Sequence, residues 1–173
     1  PINSIWDAIL FLANKHQDLQ FVLSVHTNPN VRNIIQKRLG GLDNIFLINP
    51  LEYLSFVYIM SISHIILSDS GGVQEEAPSL GKPVLVLRDT TERPEAVEAG
   101  TVRLVGSNTI KIIDEFEKIY EIPEEYEKMT KSINPYGDGK SSERIVNVLR
   151  KWLIIWFQKL FILYESAKIR SLL

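Results

Sequence analysis

The stretch S-D-S-G-G-V-Q-E-E at positions 68–76 carries the residues best suited to chemistry in this sequence. It follows the apolar run 65–67 and opens a helical stretch. Small residues let a diphosphate approach the backbone, and N–H groups at a helix start point at the anion. We therefore predict that Ser70, Gly71 and Gly72 form an anion-binding turn. The alternative is an ordinary strand–turn–helix junction.

Two acidic residues, Glu75 and Glu76, lie in the first turn of that helix. Acidic side chains are favourable near the positive end of a helix, and this explanation suffices for one of them. A carboxylate can also accept two hydrogen bonds at once, which suits the vicinal hydroxyls of a ribose. Because Glu76 lies about a turn beyond the glycine pair, we predict that it faces the pocket.

A charged loop, R-D-T-T-E-R-P-E, occupies positions 88–95 after the apolar run 84–87. Dense charge usually marks a solvated surface, but loops at strand ends also carry binding residues. Arg93 precedes a proline that stiffens the turn. Its planar guanidinium is suited to a phosphate or a sugar.

His26 and Phe56 are the remaining candidates for ligand contact. A lone histidine at a strand end is more often structural than catalytic. An aromatic residue in a helix usually belongs to the core, although Phe56 could also stack on a nucleobase. The sequence has no cysteine and no His/Asp/Glu cluster with metal-ligand spacing, so we predict neither a metal nor a cofactor. It also lacks G-x-S-x-G, which leaves serine-hydrolase chemistry unsupported.

Alternating helices and short apolar strands must position these loops. Continuous apolar runs, typical of strands buried on both faces, predict strands at 20–25, 44–48, 64–68, 83–87 and 102–105. Helical spacing predicts helices at 2–16, from about 30 to 39, 52–61, 72–80, 94–99, 109–120, 123–132 and from 140 onward. The fold class is therefore α/β, a doubly wound parallel sheet with flanking helices. Such sheets bind ligands at the carboxyl ends of their strands, where the candidate loops fall.

The composition excludes several classes of function. The 173 residues carry a net charge of -2, with no basic excess for nucleic-acid binding. No apolar window reaches the roughly 18 residues of a membrane span, and no signal peptide opens the sequence. We expect a cytoplasmic protein. Because the sequence begins at Pro1 and not at methionine, it is expected to be processed or to be the later part of a longer protein.

Several sequence runs together resemble one family, the non-hydrolysing UDP-N-acetylglucosamine 2-epimerases, with the hydrolysing branch of the same superfamily as an alternative. The runs are H-T-N-P-N-V at 26–31, E-Y-L-S-F at 52–56, the segments 68–85 and 90–106, and N-P-Y-G-D-G at 134–139. The resemblance covers roughly residues 1–150. It implies the carboxyl-terminal, Rossmann-like half of a GT-B-type protein, an isomerase of cell-envelope polysaccharide biosynthesis.

The resemblance also implies roles for the candidate residues. It places Ser70, Gly71 and Gly72 on the diphosphate of UDP or UDP-N-acetylglucosamine, Glu76 on the ribose and Phe56 beside the uracil. Family members remove UDP by anti elimination to a 2-acetamidoglucal and then add it back with inversion at C2. This interconverts UDP-N-acetylglucosamine and UDP-N-acetylmannosamine.

Other positions are implied less directly or depart from the family. Arg93 is implied as a sugar-side contact. His26 matches a family histidine near the nucleotide-sugar sites, where bacterial members hold a second, activating UDP-N-acetylglucosamine. Relatives tend to carry glutamine where this sequence has Leu51, so we expect weaker nucleotide binding. The family's catalytic carboxylates belong to the amino-terminal half and a catalytic histidine to a segment before Pro1, which predicts no catalytic residue in this chain.

The last stretch is predicted to be a separate extension. The domain is expected to span 1–150, followed by an apolar helical extension over 151–173. The run 152–164 is apolar nearly all round, which favours a helix that packs on the domain or self-associates. A surface normally covered by a missing half, a membrane-surface contact and a translated frameshift are the alternatives. We expect a homo-oligomer, with the missing amino-terminal half as a further partner. An inactive fragment that binds UDP or a UDP-sugar, and half of a GT-B glycosyltransferase, remain alternative functions.

Overall fold

The computed structural model describes residues 2–25 and 28–170, which divide into two compact units, Pro1–Pro135 and Tyr136–Leu173. The elements of the first unit alternate between helix and strand, as the sequence predicts. They are α1 (Ile2–Lys15), β1 (Phe21–Ser24), α2 (Pro29–Leu39), β2 (Ile45–Ile48), α3 (Tyr53–Ile62), β3 (Ile66–Ser68), α4 (Gly71–Glu76), a 3-10 turn (Ala77–Leu80), β4 (Val84–Val86), α5 (Pro94–Glu98), β5 (Val102–Leu104), α6 (Thr109–Glu121) and α7 (Pro123–Thr130).

All strand pairings in the described part of the chain are parallel, which confirms the α/β class with flanking helices. The strands form two hydrogen-bonded groups, β1–β2 and β3–β4–β5. Phe21 is in register with Ile45 in the first group, and Val84 is in register with both Ile66 and Val102 in the second. Each strand ends within two residues of its predicted limits. The single predicted sheet is therefore interrupted between β1 and β3.

The core lies between the helices and the two groups of strands. Strand β4 is fully buried, as expected of the middle strand of three. Helix α1 contributes to two apolar clusters, because positions four apart share a helix face. Ala8 and Leu12 pack with α6 and β4, whereas Ile9 and Ala13 pack with α2, β1 and β2. Helix α1 therefore spans both groups of strands.

The predicted helix at 72–80 is divided in the structure. The α-helical part ends at Glu76, and Ala77–Leu80 continues as a 3-10 turn. Pro78 has no N–H group and its ring opposes α-helical geometry, so the tighter turn begins here. Gly81 then ends the turn with a φ of 65°, a left-handed conformation that glycine adopts without strain.

The second unit is dominated by one helix, α8 (Ser141–Arg170). It runs through residue 150, and its side chains from 141 to 156 are exposed. The division into 1–150 and 151–173 stays a prediction. Over the part of the chain that the structure describes, no helix is both long enough and apolar enough to cross a membrane.

Candidate functional site

The polar loops that follow β3, β4 and β5 lie at the carboxyl ends of three neighbouring parallel strands. In the first loop, the backbone N–H of Ser70 donates to Ser68 Oγ at 3.1 Å. Ser70 caps α4 with an extended backbone, and its side chain makes no capping hydrogen bond. The Ser70 hydroxyl is exposed beside the first N–H groups of the helix. That this turn binds an anion stays a prediction.

Arg93 and Ser70 border the two glycines of the turn. A Cβ atom placed on Gly71 would lie 3.9 Å from Arg93 Nη2, and one placed on Gly72 would lie 3.8 Å from Ser70 Oγ. A side chain at either position would therefore fill the space next to the guanidinium and the hydroxyl. The structure thus brings together four of the predicted residues, Ser70, Gly71, Gly72 and Arg93, around one turn.

A hydrogen-bond network around the buried side chain of Gln74 holds Arg93 in this place. Gln74, only 1% exposed, donates through Nε2 to the Ser70 carbonyl at 3.3 Å and accepts from Thr91 Oγ1 at 2.5 Å. Thr91 Oγ1 in turn accepts from the Arg93 backbone N–H at 3.0 Å. The network ties the loop after β4 to helix α4. Sequence reasoning missed Gln74 and Thr91. A polar residue between the buried positions Val73 and Ala77 was the available signal.

The two glutamates of α4 have different partners. Arg93 Nε donates to Glu75 Oε1, and Arg93 Nη1 donates to the Glu92 carbonyl at 3.1 Å. Glu76 instead lies next to Tyr53 of α3. Its negative charge, together with a hydrogen bond to the carboxylate, raises the pKa of the Tyr53 hydroxyl. Glu75 therefore orients the guanidinium, and Glu76 lies toward α3.

Phe56 reaches the same region from α3. It is partly buried and, with Asp69 and Ser70, borders a cavity of about 690 Å3. Residues 19–25 along β1 and 63–68 along β3 line this cavity, which we call the inter-strand cleft. Leu51 also borders it. The prediction for His26 falls outside the described residues.

Asp89 and Gly106 bring the loops after β4 and β5 together. Gly106 is buried and has a φ of 65°, and a Cβ atom placed on it would collide with the Asp89 carboxylate. A larger residue at position 106 would be strained by its backbone and would also displace Asp89. The two loops are therefore packed against each other through this contact.

The other two histidines have structural surroundings. His16 Nε2 lies 3.0 Å from Glu117 Oε1, and the His64 ring stacks on Tyr126 with centroids 4.2 Å apart. Burial, with a smaller contribution from the charge of Lys82, lowers the pKa of His64. Within the described residues, no group of three His, Cys, Asp or Glu side chains is arranged to hold a metal.

Comparisons with known proteins agree on one family. The family model described as UDP-N-acetylglucosamine 2-epimerase matches residues 1–150. The UDP-N-acetylglucosamine 2-epimerase of Neisseria meningitidis is 62% identical over 87% of this chain and 40% of its own length, and that of Escherichia coli K12 is 53% identical over 84% and 39%. The chain therefore spans about 40% of the length of these curated relatives.

Solved structures of the same class are similar in fold. The crystal structure of the Neisseria meningitidis UDP-GlcNAc 2-epimerase bound to UDP-GlcNAc gives a TM-score of 0.83, with 87% of this chain and 41% of that chain covered. The Methanocaldococcus jannaschii UDP-GlcNAc 2-epimerase, 37% identical, gives 0.74 over 87% of this chain and 41% of its own. Both match as a GT-B-like, Rossmann-like α/β half.

Proposed function

The chain belongs to the UDP-N-acetylglucosamine 2-epimerase family, and we propose that it supplies the nucleotide-binding half of such an enzyme. Its substrate in this proposal is UDP-N-acetylglucosamine, which the whole enzyme interconverts with UDP-N-acetylmannosamine by elimination and re-addition of UDP. The family match favours this interpretation over half of a glycosyltransferase. A fragment that binds UDP without turnover remains a special case of the same proposal.

One observation carries the proposal, namely the guanidinium of Arg93 beside the open turn at Gly71 and Gly72. A diphosphate is bound by hydrogen-bond donors and by positive charge. The turn offers backbone N–H groups and the Ser70 hydroxyl as donors, with the Arg93 guanidinium beside them. The pairing of Arg93 with Glu75 fixes its direction without a ligand. In our proposal the diphosphate lies over the glycines, and Arg93 reaches toward the sugar.

The remaining contacts follow from the positions of two side chains near this turn. Glu76 ends α4 and directs its carboxylate to the side where Tyr53 lies, and we assign it to the ribose hydroxyls. Phe56 borders the cleft that Ser70 also borders, and we assign it to the uracil ring. His26 keeps its proposed place near the nucleotide-sugar, on the resemblance alone.

In our proposal this arrangement binds the nucleotide, and the groups that transfer protons at the sugar ring lie outside this chain. Elimination of UDP needs a base at C2 and an acid for the leaving group, each worth about 10²–10⁴-fold in rate. We propose that the amino-terminal half supplies these groups. The 173-residue chain alone then binds UDP and leaves UDP-N-acetylglucosamine unchanged.

Proton NMR on the purified chain tests this part of the proposal. We expect no UDP-N-acetylmannosamine and no exchange of solvent deuterium at C2, whether or not the chain binds UDP. Turnover by the chain alone would overturn it and would direct attention to Glu76, Glu92 and His26. The amino-terminal half of a relative, added in trans, is the positive control.

Calorimetry with UDP tests the turn itself through Gly72→Val. The Cβ atom would meet only Ser70 Oγ at 3.8 Å, an ordinary contact, so the unliganded chain accommodates the substitution. We expect the affinity for UDP to fall at least about tenfold, because the side chain occupies the anion's approach. Gly41→Val is the matched control, since no atom lies within 4 Å of its Cβ position. Equal UDP affinity in both folded variants would refute the assignment of the turn.

We further propose a homo-oligomer in the cytoplasm. The exposed apolar side chains of α8, among them Trp152 at 71% and Ile154 at 59%, support self-association. Sedimentation velocity measures it directly. A Trp152→Lys variant that sediments like the parent chain would argue against a role for this helix.

A further inference from the structure

Residues 150–170, at the end of helix α8, differ in composition from the rest of the chain, and we call them the aromatic-basic segment. The segment begins at the last residue that the family model matches. The backbone of α8 is helical from Ser141 through Arg170. At a rise of 1.5 Å per residue, the segment is about 30 Å long. The family match therefore gives this helical segment no role.

The apolar side chains at the start of the segment are exposed. Each residue of the run Trp-Leu-Ile-Ile-Trp at 152–156 is more than half exposed. Five consecutive residues cover more than one helical turn, so every side of this turn presents apolar surface to solvent. Single exposed apolar residues are ordinary, but a continuous exposed patch marks a surface that binds a partner. The partner is indicated by the charges that accompany this patch.

The net charge of the segment is opposite in sign to that of the rest of the chain. Its side chains include one acidic residue, Glu165, and five basic residues, which are Arg150, Lys151, Lys159, Lys168 and Arg170. The segment therefore carries +4, whereas the whole chain carries -2, which leaves -6 on the other residues. A basic amphipathic helix is typical of segments that contact an anionic surface.

The sequence pattern places charged and aromatic positions on different sides of a helix. At about 100° per residue, the polar positions 150, 151, 158, 165 and 168 fall within an arc of about 100°. The aromatic positions 152, 156, 157 and 164 fall within an arc of about 140° on the other side. The first arc is interrupted by Ile154, Phe161 and Ile169, and the border of the second carries Lys159 and Arg170. Tryptophan and tyrosine favour the membrane–water interface, and long basic side chains at such a border extend their charge into water.

The spacing of the charges is that of a helix that lies along a surface. No more than seven residues separate successive charged positions from 151 to 168. A helix that spans a bilayer needs about 20 predominantly apolar residues, and a charge at the bilayer centre is costly. A helix in the interface instead buries its apolar side by about 5–10 Å, at the boundary between the headgroups and the acyl chains. The segment has the pattern of the second class.

Charge also distinguishes a bilayer from a second copy of the chain as the occupant of this surface. Two segments packed side by side bring two charges of +4 together, and these repel each other whichever way the helices run. An anionic bilayer attracts the same charges, and each lysine or arginine near its surface strengthens binding roughly fivefold. Self-association through these side chains is therefore disfavoured where an anionic bilayer is available.

We propose that the aromatic-basic segment binds the surface of an anionic phospholipid bilayer. The helix lies in the plane of the interface, with its aromatic side toward the acyl chains and its basic side toward the lipid phosphates. The chain is then held at the membrane by this segment alone. The proposal does not depend on the nucleotide site, so vesicle binding and UDP binding can each be present without the other.

Flotation with lipid vesicles tests the proposal on the intact 173-residue chain. One set of vesicles consists of phosphatidylcholine, and the other contains about 30% of the anionic lipid phosphatidylglycerol. We expect saturable binding to the anionic vesicles, and binding to the neutral vesicles at least about tenfold weaker. Raising the salt concentration from about 0.1 M to about 1 M should weaken the binding, because salt screens the attraction. No binding at about 1 mM lipid, or equal binding to both sets of vesicles, overturns the proposal.

Tryptophan fluorescence locates the contact within the chain. Two of the three tryptophans, Trp152 and Trp156, belong to the segment, whereas Trp6 lies in α1 and is partly buried. Lipids with brominated acyl chains should quench the emission of the parent chain. A variant with Trp152→Phe and Trp156→Phe retains Trp6 alone and should still bind vesicles without being quenched. If Trp6 is quenched as strongly as the parent, another part of the chain enters the bilayer and the proposal is wrong.

Two double variants of equal net charge provide the matched control. Lys151→Glu with Lys168→Glu reverses two charges in the segment, and Lys37→Glu with Lys111→Glu reverses two exposed charges elsewhere. The first pair should weaken binding to anionic vesicles by at least about tenfold, and the second pair by less than about twofold. Equal effects would show that total charge drives binding, which overturns the proposal.

Sedimentation velocity distinguishes the second copy of the chain as occupant. A parent chain that self-associates through this helix and does not float with anionic vesicles would show that a second copy covers the segment, and the proposal would then be refuted. Should one of the charge-reversal variants fail to fold, the salt dependence and the fluorescence quenching of the parent chain decide the question.

Discussion

The hydrogen bond between Gln74 and Thr91 predicts a measurable coupling between helix α4 and the loop that carries Arg93. We consider Gln74→Met, which keeps the volume of a side chain that is 1% exposed and removes its polar atoms. The variant loses the 2.5 Å bond from Thr91 and the longer 3.3 Å bond to the Ser70 carbonyl. Thr91 is only partly buried, so water can replace part of what it loses.

The magnitude follows from these two bonds. A neutral hydrogen bond contributes about 0.5–1.5 kcal/mol net, and the longer bond belongs at the lower end. We therefore expect Gln74→Met to reduce the free energy of unfolding by about 1–2 kcal/mol. Because Thr91 also accepts from the Arg93 N–H, loosening the loop should weaken UDP-N-acetylglucosamine binding by about 1 kcal/mol, roughly fivefold in Kd.

A double-mutant cycle with Thr91→Val separates this coupling from general destabilisation. Urea unfolding followed by far-UV circular dichroism gives the stabilities of the parent, both single variants and the double variant. If the bond contributes to stability, the double variant should lose about 1 kcal/mol less free energy of unfolding than the two single variants lose together. Additive losses in stability, together with unchanged binding in Gln74→Met, would refute the view that this network positions Arg93.

Two further predictions follow from the charged groups. Glu76→Gln should weaken UDP binding. It should also lower the pKa of Tyr53 toward its ordinary value, because the negative charge that raises this pKa is removed. Ultraviolet titration of the tyrosines measures the change in pKa, and an unchanged titration curve would contradict the contact between Glu76 and Tyr53. At Glu115, burial opposes ionisation, but hydrogen bonds from Lys118 and Arg103 outweigh it and lower the pKa from 4.5. A carboxyl group whose pKa is lowered by folding stabilises the folded chain at any pH above its ordinary pKa. Arg103→Met should therefore reduce the free energy of unfolding by about 1 kcal/mol above pH 5. The difference between the two proteins should shrink as the pH falls through the lowered pKa. A difference between the two proteins that is constant from pH 7 to about pH 3 would contradict this account.

The order of elements was predictable from the sequence because apolar runs and helical spacing report burial directly. The pairing of the strands was not predictable, because the side chains of a strand do not indicate which strand lies at each of its edges. The gap between β1 and β3 was therefore invisible in the sequence. The end of α4 was predictable in principle from Pro78, although the helical spacing alone extended the helix to residue 80.

Within the candidate site, residue types were predictable and partners were not. The sequence places Glu75 and Glu76 in one helical turn, and only the distance of Glu76 from the glycine pair predicts that it faces the pocket. Consecutive helical residues point about 100° apart, so only one of the two can face a given loop. In the structure Glu75 accepts a hydrogen bond from Arg93, whereas Glu76 lies next to Tyr53. The role of Gln74 could not be predicted because a buried polar side chain depends on its hydrogen-bond partner. Here that partner is Thr91, which lies seventeen positions later in the sequence.

The contact between Asp89 and Gly106 limits how this protein can be varied. Position 106 has both a left-handed backbone and a carboxylate against its α-carbon, so glycine is the residue that fits while Asp89 is present. Libraries that randomise the loop after β4 would keep this contact only if position 89 stays short and polar. Replacing the loops after β4 and β5 together, with both loops from the same relative, would keep the residues at positions 89 and 106 compatible with each other.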